Sequence, residues 1–326
     1  MKLQQLRYLT AIAENGLNIT SAAEALYTSQ PGISKQIRLL EDELGLKLFV
    51  RRGKRIEALT PAGEKVVERA SQVLQQVSAI KTLADELRGE VKGRLSLATT
   101  QTQARYVLPS IIDTFRRRFG EINIELHQGT SEQIAQMITE RQVDFAMATG
   151  STELFPDVIK LPVYRWDRVV VVPANHPLAE SDQPLTLQEL ARFPLVTYLF
   201  SDRQDSSLMK TFASENLTPR IAFTARDSDV IKTYVRTGLG VGLVAGMALE
   251  PELDADLVVI DASHLFPRLT TWIGYRSDFL LKNYHGDFLK LIAPNIDPHL
   301  IDDALKGRKL PDYETLLNET SLPLRG

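Results

Sequence analysis

Residues 18–44, NITSAAEALYTSQPGISKQIRLLEDEL, limit what this chain can fold into more than any other stretch. Ala22, Ala23 and Leu26 make a small apolar face, and Asn18 or Thr20 can cap the helix that carries them. Tyr27-Thr28-Ser29 reads as a turn. Ser29 can cap a following helix with Pro31 in its first turn, where a missing N–H costs nothing. Ile33, Ile37, Leu40 and Leu44 recur at helical spacing, which leaves Ser34, Lys35 and Arg38 on the opposite face. Two short helices joined by a tight turn, the second polar and basic from its start, suit insertion into a DNA major groove.

On that reading Ser29, Gln30, Pro31, Ser34, Lys35 and Arg38 form the groove-facing side. Gln pairs with adenine, Lys with guanine and Ser with either base. An earlier helix, Leu3 to Glu14, carries Leu3, Leu6, Leu9 and Ala13 as a stripe and ends at Gly16. After Gly45, LKLFVRRGKRIEALT places two β-prone segments around Arg51-Arg52-Gly53-Lys54-Arg55. This predicts a hairpin wing whose Arg51, Arg52, Lys54 and Arg55 meet the DNA backbone or minor groove. Residues 1–60 hold nine Lys/Arg against six Asp/Glu, although the whole chain is net −3. A basic end on an acidic body fits a phosphate partner at that end only.

Pro61 opens a helix expected to reach about Leu87. Val66, Ala70, Val73, Val77, Ile80, Ala84 and Leu87 alternate steps of four and three, a heptad seam. A long helix with one narrow seam needs a partner, so residues 61–88 are expected to make a homodimer. Gly89 to Gly93 reads as a linker.

Beyond it, strands and helices alternate. Leu95–Ala98, Ile122–His127 and Val143–Ala148 read as strands, with helices at Val107–Phe119 and Ser131–Arg141 between them. A second set has strands at Arg168–Pro173, Leu195–Tyr198, Ile221–Thr224 and Gly240–Ala245. The pattern predicts two α/β lobes with a ligand cleft between them. The expected divisions are a winged helix-turn-helix over 1–60, a linker helix over 61–88, and an effector domain over 93–300. Within that domain, lobe I covers about 93–162 and 267–300, and lobe II about 163–266. Asp278–Leu291 reads as a late helix, and 301–326 as a loosely held C-terminal tail.

The chain has no cysteine, which removes disulfides, thiolate metal sites and cysteine nucleophiles. Its five histidines have no metal spacing. No metal and no cofactor are expected. Gly238-Leu239-Gly240-Val241-Gly242 follows a helix and enters a strand, the reverse of a dinucleotide fingerprint. No acid, base and nucleophile converge, so no catalytic residues are assigned. The opening MKLQQLRYLTAIAENG does not read as an export signal, and no apolar run is long enough to span a bilayer. A cytoplasmic location without membrane contact is expected.

TSQPGISKQIRLLEDELGLKLFVRRGKRIEALTPAGE resembles the winged helix-turn-helix of LysR-type transcriptional regulators. The alternation after residue 93 resembles their periplasmic-binding-protein-like effector domain. MKLQQLRYL, ATTQTQARYVLP, HQGTSEQIA, DFAMATG and DSDVIKTYVRTGLGVGLVA narrow the likeness to the CysB/Cbl branch. The resemblance implies a regulator of sulfur assimilation or organosulfur genes. It further implies a homotetramer acting on double-stranded promoter DNA, with RNA polymerase as a further partner. It also implies a small anionic effector: sulfate, acetylserine, adenylyl sulfate or a sulfonate. Residues matching Thr100, Thr102, Gln103 and Thr149 hold it in that branch. The run Thr99-Thr100-Gln101-Thr102-Gln103 has more hydroxyls and amides than helix capping requires, and a helix start adds free N–H groups.

One loop departs from the branch. After Thr197-Tyr198 the usual Gly-Phe/Ile-Thr-Gly-Arg-Ser stretch is replaced by Leu199-Phe200-Ser201-Asp202-Arg203-Gln204-Asp205-Ser206. Arg203 is placed to clamp an anion, or Asp202 or Asp205 to meet an ammonium. Asp229 reads as the cap of the next helix, with Asp227 lining the cleft. The rival expectation is a cytoplasmic small-anion binding protein or an enzyme on the same two-lobed fold.

Overall fold

The structure is a computed structural model and describes residues 1–53, 55–87, 92–181 and 183–325. The chain forms two compact units, Met1–Val91 and Lys92–Gly326.

In the first unit, α1 (Leu3–Glu14), α2 (Ile19–Ala25) and α3 (Gln30–Leu44) pack around Leu6, Leu9, Ile12, Ala22, Ile33, Ile37 and Leu40. Asn18 caps α2, accepting the Thr20 N–H at 2.9 Å. Ser29 caps α3, accepting the Gly32 N–H at 3.3 Å. Gly45 ends α3 with φ of 65°, a conformation that favours glycine. The wing follows: β1 (Phe49–Arg52) pairs antiparallel with β2 (Arg55–Leu59). Lys54, Arg88 at the end of the expected linker helix, and residues 89–91 of the expected linker lie outside the described residues.

Helix α4 (Pro61–Leu87) begins where Thr60 accepts the Gly63 N–H at 2.9 Å. Gly63 sits against the Leu48 carbonyl, and any Cβ there would collide with it. The first turns of α4 pack on α1: Ala70 is buried, and Val66, Val67 and Leu74 lean on the same core. Further along, Val73 and Ile80 stand 41% and 67% exposed. The heptad seam therefore serves its own domain at the start and is left largely or partly open to solvent at these two positions.

The second unit holds two five-stranded sheets. Lobe I has the order β4 (Ile122–Gln128), β3 (Gly93–Thr99), β5 (Phe145–Thr149), β12 (Leu269–Arg276), β6 (Val158–Trp166). Lobe II has the order β9 (Ile221–Ala225), β8 (Leu195–Tyr198), β10 (Val241–Ala245), β7 (Arg168–Pro173), β11 (Leu257–Asp261). The two orders correspond strand for strand. Three strands are parallel in each, and the fourth, β12 or β7, arrives from the other lobe and pairs antiparallel. In lobe I, α5 (Gln101–Tyr106) and α6 (Leu108–Arg118) connect β3 to β4, and α7 (Ser131–Thr139) leads to β5. In lobe II, α8 (Leu187–Leu190) precedes β8. There α9 (Ser207–Ser214) and α10 (Ser228–Arg236) take the places of the lobe I helices.

Several expected boundaries change. The expected Val107–Phe119 helix is α6, and a further short helix, α5, which Thr100 starts, precedes it across a break at Val107. The sheet of lobe I continues to Trp166 because β6 stays paired to β12 as far as Leu269, so the crossover falls at Asp167 and not near 163. The late helix, α11 (Asn283–Ile292), starts after the 278–282 loop. Residues 301–326 are not a loose tail. They complete α12 (Pro298–Leu305), which packs on α11, and include α13 (Tyr313–Glu319), which packs on β6. Leu310 and Leu316 are buried there, and the Arg165 N–H donates to the Pro323 carbonyl at 2.9 Å. The apolar residues of this stretch are spaced too widely to stand out from its polar ones. Among the described residues no helix is long and apolar enough to cross a membrane.

Candidate functional site

The exposed side of α3 carries Gln30, Pro31, Lys35 and Arg38, preceded by exposed Ser29, while Ser34 is half-buried. Ile33, Ile37, Leu40 and Glu41 face inward, which fixes the rotation of the helix. Tyr27 in the turn is 99% exposed, with φ of 48°; the sequence marked it only as a turn residue.

The wing is tied to this helix by a residue that sequence reading missed. Glu41 is buried and accepts the N–H groups of Leu48 at 2.9 Å and Phe49 at 3.3 Å. Arg51 pairs with the same carboxylate at 3.5 Å. Arg51 is thus a strut of the wing, whereas Arg52 is well exposed beside Glu57 at 3.8 Å. Arg55 opens β2, opposite Arg52.

The cleft lies where the carboxyl ends of β3, β4, β5, β8 and β9 meet the helices that follow them, the position at which α/β sheets bind ligands. A cavity of about 730 Å³ opens there, within the range of small-molecule pockets. Thr100, Thr102 and Thr149 line it from lobe I, and Arg168, Tyr198, Phe200, Arg203 and Arg226 from lobe II. A smaller adjoining recess of about 50 Å³ is walled by Thr100, Thr102, Gln103, Ser131, Thr149 and Trp166, among others, and by no charged side chain.

Thr100 occupies the N-cap of α5, yet its hydroxyl makes no cap hydrogen bond. It faces the cavity with its donor and acceptor uncommitted to the helix. Gln103 donates through Nε2 to Thr149 Oγ1 at 3.2 Å, and its buried Oε1 has no partner. Thr149 in turn lies 2.7 Å from the Thr271 hydroxyl, and Trp166 Nε1 donates to Thr271 at 3.2 Å. Thr102 reaches across the cleft: its hydroxyl is 3.4 Å from that of Ser228, which sits 2.8 Å from the Tyr198 hydroxyl. Tyr198 also accepts the Ala245 N–H at 3.0 Å.

Charged contacts close one side of the cleft. Arg105 of lobe I pairs with Asp229 at 2.7 Å and with Glu250 at 3.2 Å. The Tyr106 hydroxyl donates to Asp229 at 2.6 Å, and burial followed by that carboxylate pushes its pKa well up. Lys232, buried, holds Asp229 at 3.1 Å and Asp254 at 2.7 Å. At the mouth Arg203 pairs with Glu132 of lobe I and with Asp205 at 3.3 Å.

Two expectations for the neighbouring acids change places. Asp227 is the cap of α10, accepting the Asp229 N–H at 2.8 Å. Asp229, the second residue of the helix, bridges the lobes. The two acids are too close in sequence for spacing alone to choose the cap.

Sequence reading also missed Arg168. It opens β7 and is 2% exposed. Nη2 donates to Ser207 Oγ at 2.9 Å, and the guanidinium lies 5.7 Å from the Phe266 ring centroid. Its Nε and Nη1 have no hydrogen-bond partner among the described residues. Burial lowers its pKa to about 10, so the group stays charged at neutral pH.

The LysR substrate binding domain family matches residues 88–296, and the lysR family of bacterial regulatory helix-turn-helix proteins matches residues 3–64. The chain belongs to the LysR family of transcriptional regulators. It is a DNA-binding regulator with a ligand-responsive domain, and the cleft serves regulation and not catalysis. It is 47% identical over 308 residues to the HTH-type transcriptional regulator CysB of Haemophilus influenzae, covering 94% of this chain and 95% of that one. It is 40% identical over 306 residues to SsuR of Burkholderia cenocepacia, covering 94% and 99%. The cofactor-binding domain of the Cbl transcriptional regulator superposes with a TM-score of 0.62 at 37% identity, over 67% of this chain and 95% of that chain.

Proposed function

We propose that this regulator controls genes of sulfur assimilation or organosulfur use in the cytoplasm, in response to a small anion held between its lobes. Its likeness to the regulators CysB, SsuR and Cbl supports the sulfur assignment. Sulfate, acetylserine, adenylyl sulfate and a sulfonate are the candidate effectors. Thr100, Thr102, Gln103 and Thr149 are the contacts, with Arg203 at the mouth and Asp227 holding the start of α10. The observation that carries this reading is the Thr100 hydroxyl, which faces the cavity without capping its helix.

On the DNA side, Ser29, Gln30, Pro31, Ser34, Lys35 and Arg38 read the major groove, while Arg52, Lys54 and Arg55 meet the backbone and Arg51 ties the wing to Glu41. Residues 61–88 form a homodimer, two of which assemble as a tetramer that engages promoter DNA and, through it, RNA polymerase. The anion favours one closure of the lobes by binding it more tightly than the other.

A thermal-shift panel of the four candidates tests this, since a ligand of the folded state raises the melting point by mass action. Thr100→Ala and Thr102→Ala should abolish the shift while leaving effector-free DNA affinity within a few-fold. Loss of DNA binding by both variants without effector would refute the assignment.

A further inference from the structure

We propose that Arg168 is the centre of a second anion subsite in the cleft, so that the effector is an organic molecule bearing two separate anionic groups. This rests on the reading of the cleft as an anion site and specifies the ligand. The small recess around Thr100, Thr102 and Thr149 offers hydroxyls and amides but no charge. That is enough for one oxyanion. The adjoining chamber is more than ten times larger, at about 730 Å³ against about 50 Å³, and shares Thr100, Thr102, Tyr198 and Phe200 with the recess. A single water occupies about 30 Å³ in the liquid, so a lone inorganic anion leaves most of that chamber to something else.

Arg168 states what that something is. A guanidinium taken almost wholly out of water is costly unless its N–H groups are met. One nitrogen is met by Ser207, two are not, and among the described residues no carboxylate pairs with this side chain. Arg226 lines the same chamber from its exposed rim and has no ion pair among the described residues, so its pull is screened and secondary to that of Arg168. The cavity does hold acids, but Glu132 and Asp205 are engaged by Arg203, and Glu153 and Asp202 lie at the exposed rim. Exposed charges are screened by water and salt, whereas a buried unmet cation is not. Phe200 lines both spaces, stacked on Tyr198 with centroids 5.1 Å apart and rings within 11°, and gives an apolar body a surface to rest on.

Titration calorimetry on the full chain tests this with inorganic sulfate, 1-alkanesulfonates, and α,ω-alkanedisulfonates of increasing length. At the best length the disulfonate should bind at least about ten-fold tighter than its monosulfonate, the scale of one charge-assisted hydrogen-bonded pair. Arg168→Met should reduce that gap to about two-fold and leave sulfate affinity unchanged. Arg226→Gln should narrow it in part. Equal affinity of mono- and disulfonates for the wild type at every length overturns the proposal, and this comparison needs no variant to fold. A folded Arg168→Met that keeps the gap, or that weakens sulfate and disulfonate alike, also overturns it. If sulfate binds and Thr100→Ala removes it but no gap exists, only the second subsite fails. If sulfate itself does not bind, the underlying reading fails too.

Discussion

Burial drives the imidazole of His285 down to about 4, against 6.5 for a free ring. Its Nδ1 accepts the Lys282 N–H at 3.1 Å, its ring edge meets Phe145 at 5.5 Å, and its Nε2 has no partner. The unfolded chain takes up a proton here below about pH 6.5, and the folded chain does so only near pH 4. The unfolded state therefore binds more protons in that window, and stability falls as pH drops through it, by up to about 1.4 kcal/mol per unit. His285→Gln, which keeps an acceptor for the Lys282 N–H, should flatten this fall in urea unfolding between pH 6.5 and 4. Parallel profiles for the two proteins would show that another group sets the limit. The threonines of the cleft were legible in the sequence because their hydroxyls outnumber the needs of one helix cap. Arg168 was not, since a single cation at the head of the run RVVVVP reads equally well as a strand end facing water. Only the fold buries it. Glu41 was hidden for the same reason, as one acid among LEDEL with nothing local to mark which of them turns inward.

Helices with a clear apolar period, and strands between turn residues, were readable almost to the residue: Arg168–Pro173 and Leu195–Tyr198 match the expectation. Strands β6, β11 and β12 were not anticipated. Their pairing partners come from distant parts of the chain, and β12 joins a lobe that the chain had left about a hundred residues earlier. In α4, Val66 and Ala70 join the core that α1 builds, while Val73 and Ile80 stay exposed. If that exposed face joins two chains, Val73→Glu with Ile80→Glu should yield monomers by sedimentation, with helix content retained. Binding to paired half-sites should then weaken by orders of magnitude, because the second contact is no longer intramolecular. Unchanged oligomers would place the interface elsewhere.

Between the lobes, contacts of two kinds oppose opening. The inner group, Tyr106 and Arg105 on Asp229 with Lys232 behind, is partly buried. The outer one, Arg203 on Glu132, is half exposed, where water and salt screen it and leave it little weight in stability. Its position at the mouth makes it a gate more than a support. Glu132→Gln should leave the melting point nearly unchanged while speeding both entry and release of a bound anion in stopped-flow experiments. Unaltered rates would mean that ligands pass by another route.

Lobes I and II are joined by two crossovers, and Arg268 on the second grips Asp167 on the first in a two-pronged pair, Nε to Oδ1 and Nη2 to Oδ2, each at 3.0 Å. Two straps fastened to each other act as one hinge pin. A pin of this kind would permit a clam-shell swing and oppose sideways sliding. If the proposed anion sets the closure of the lobes, such a pin would confine that change to a single angle.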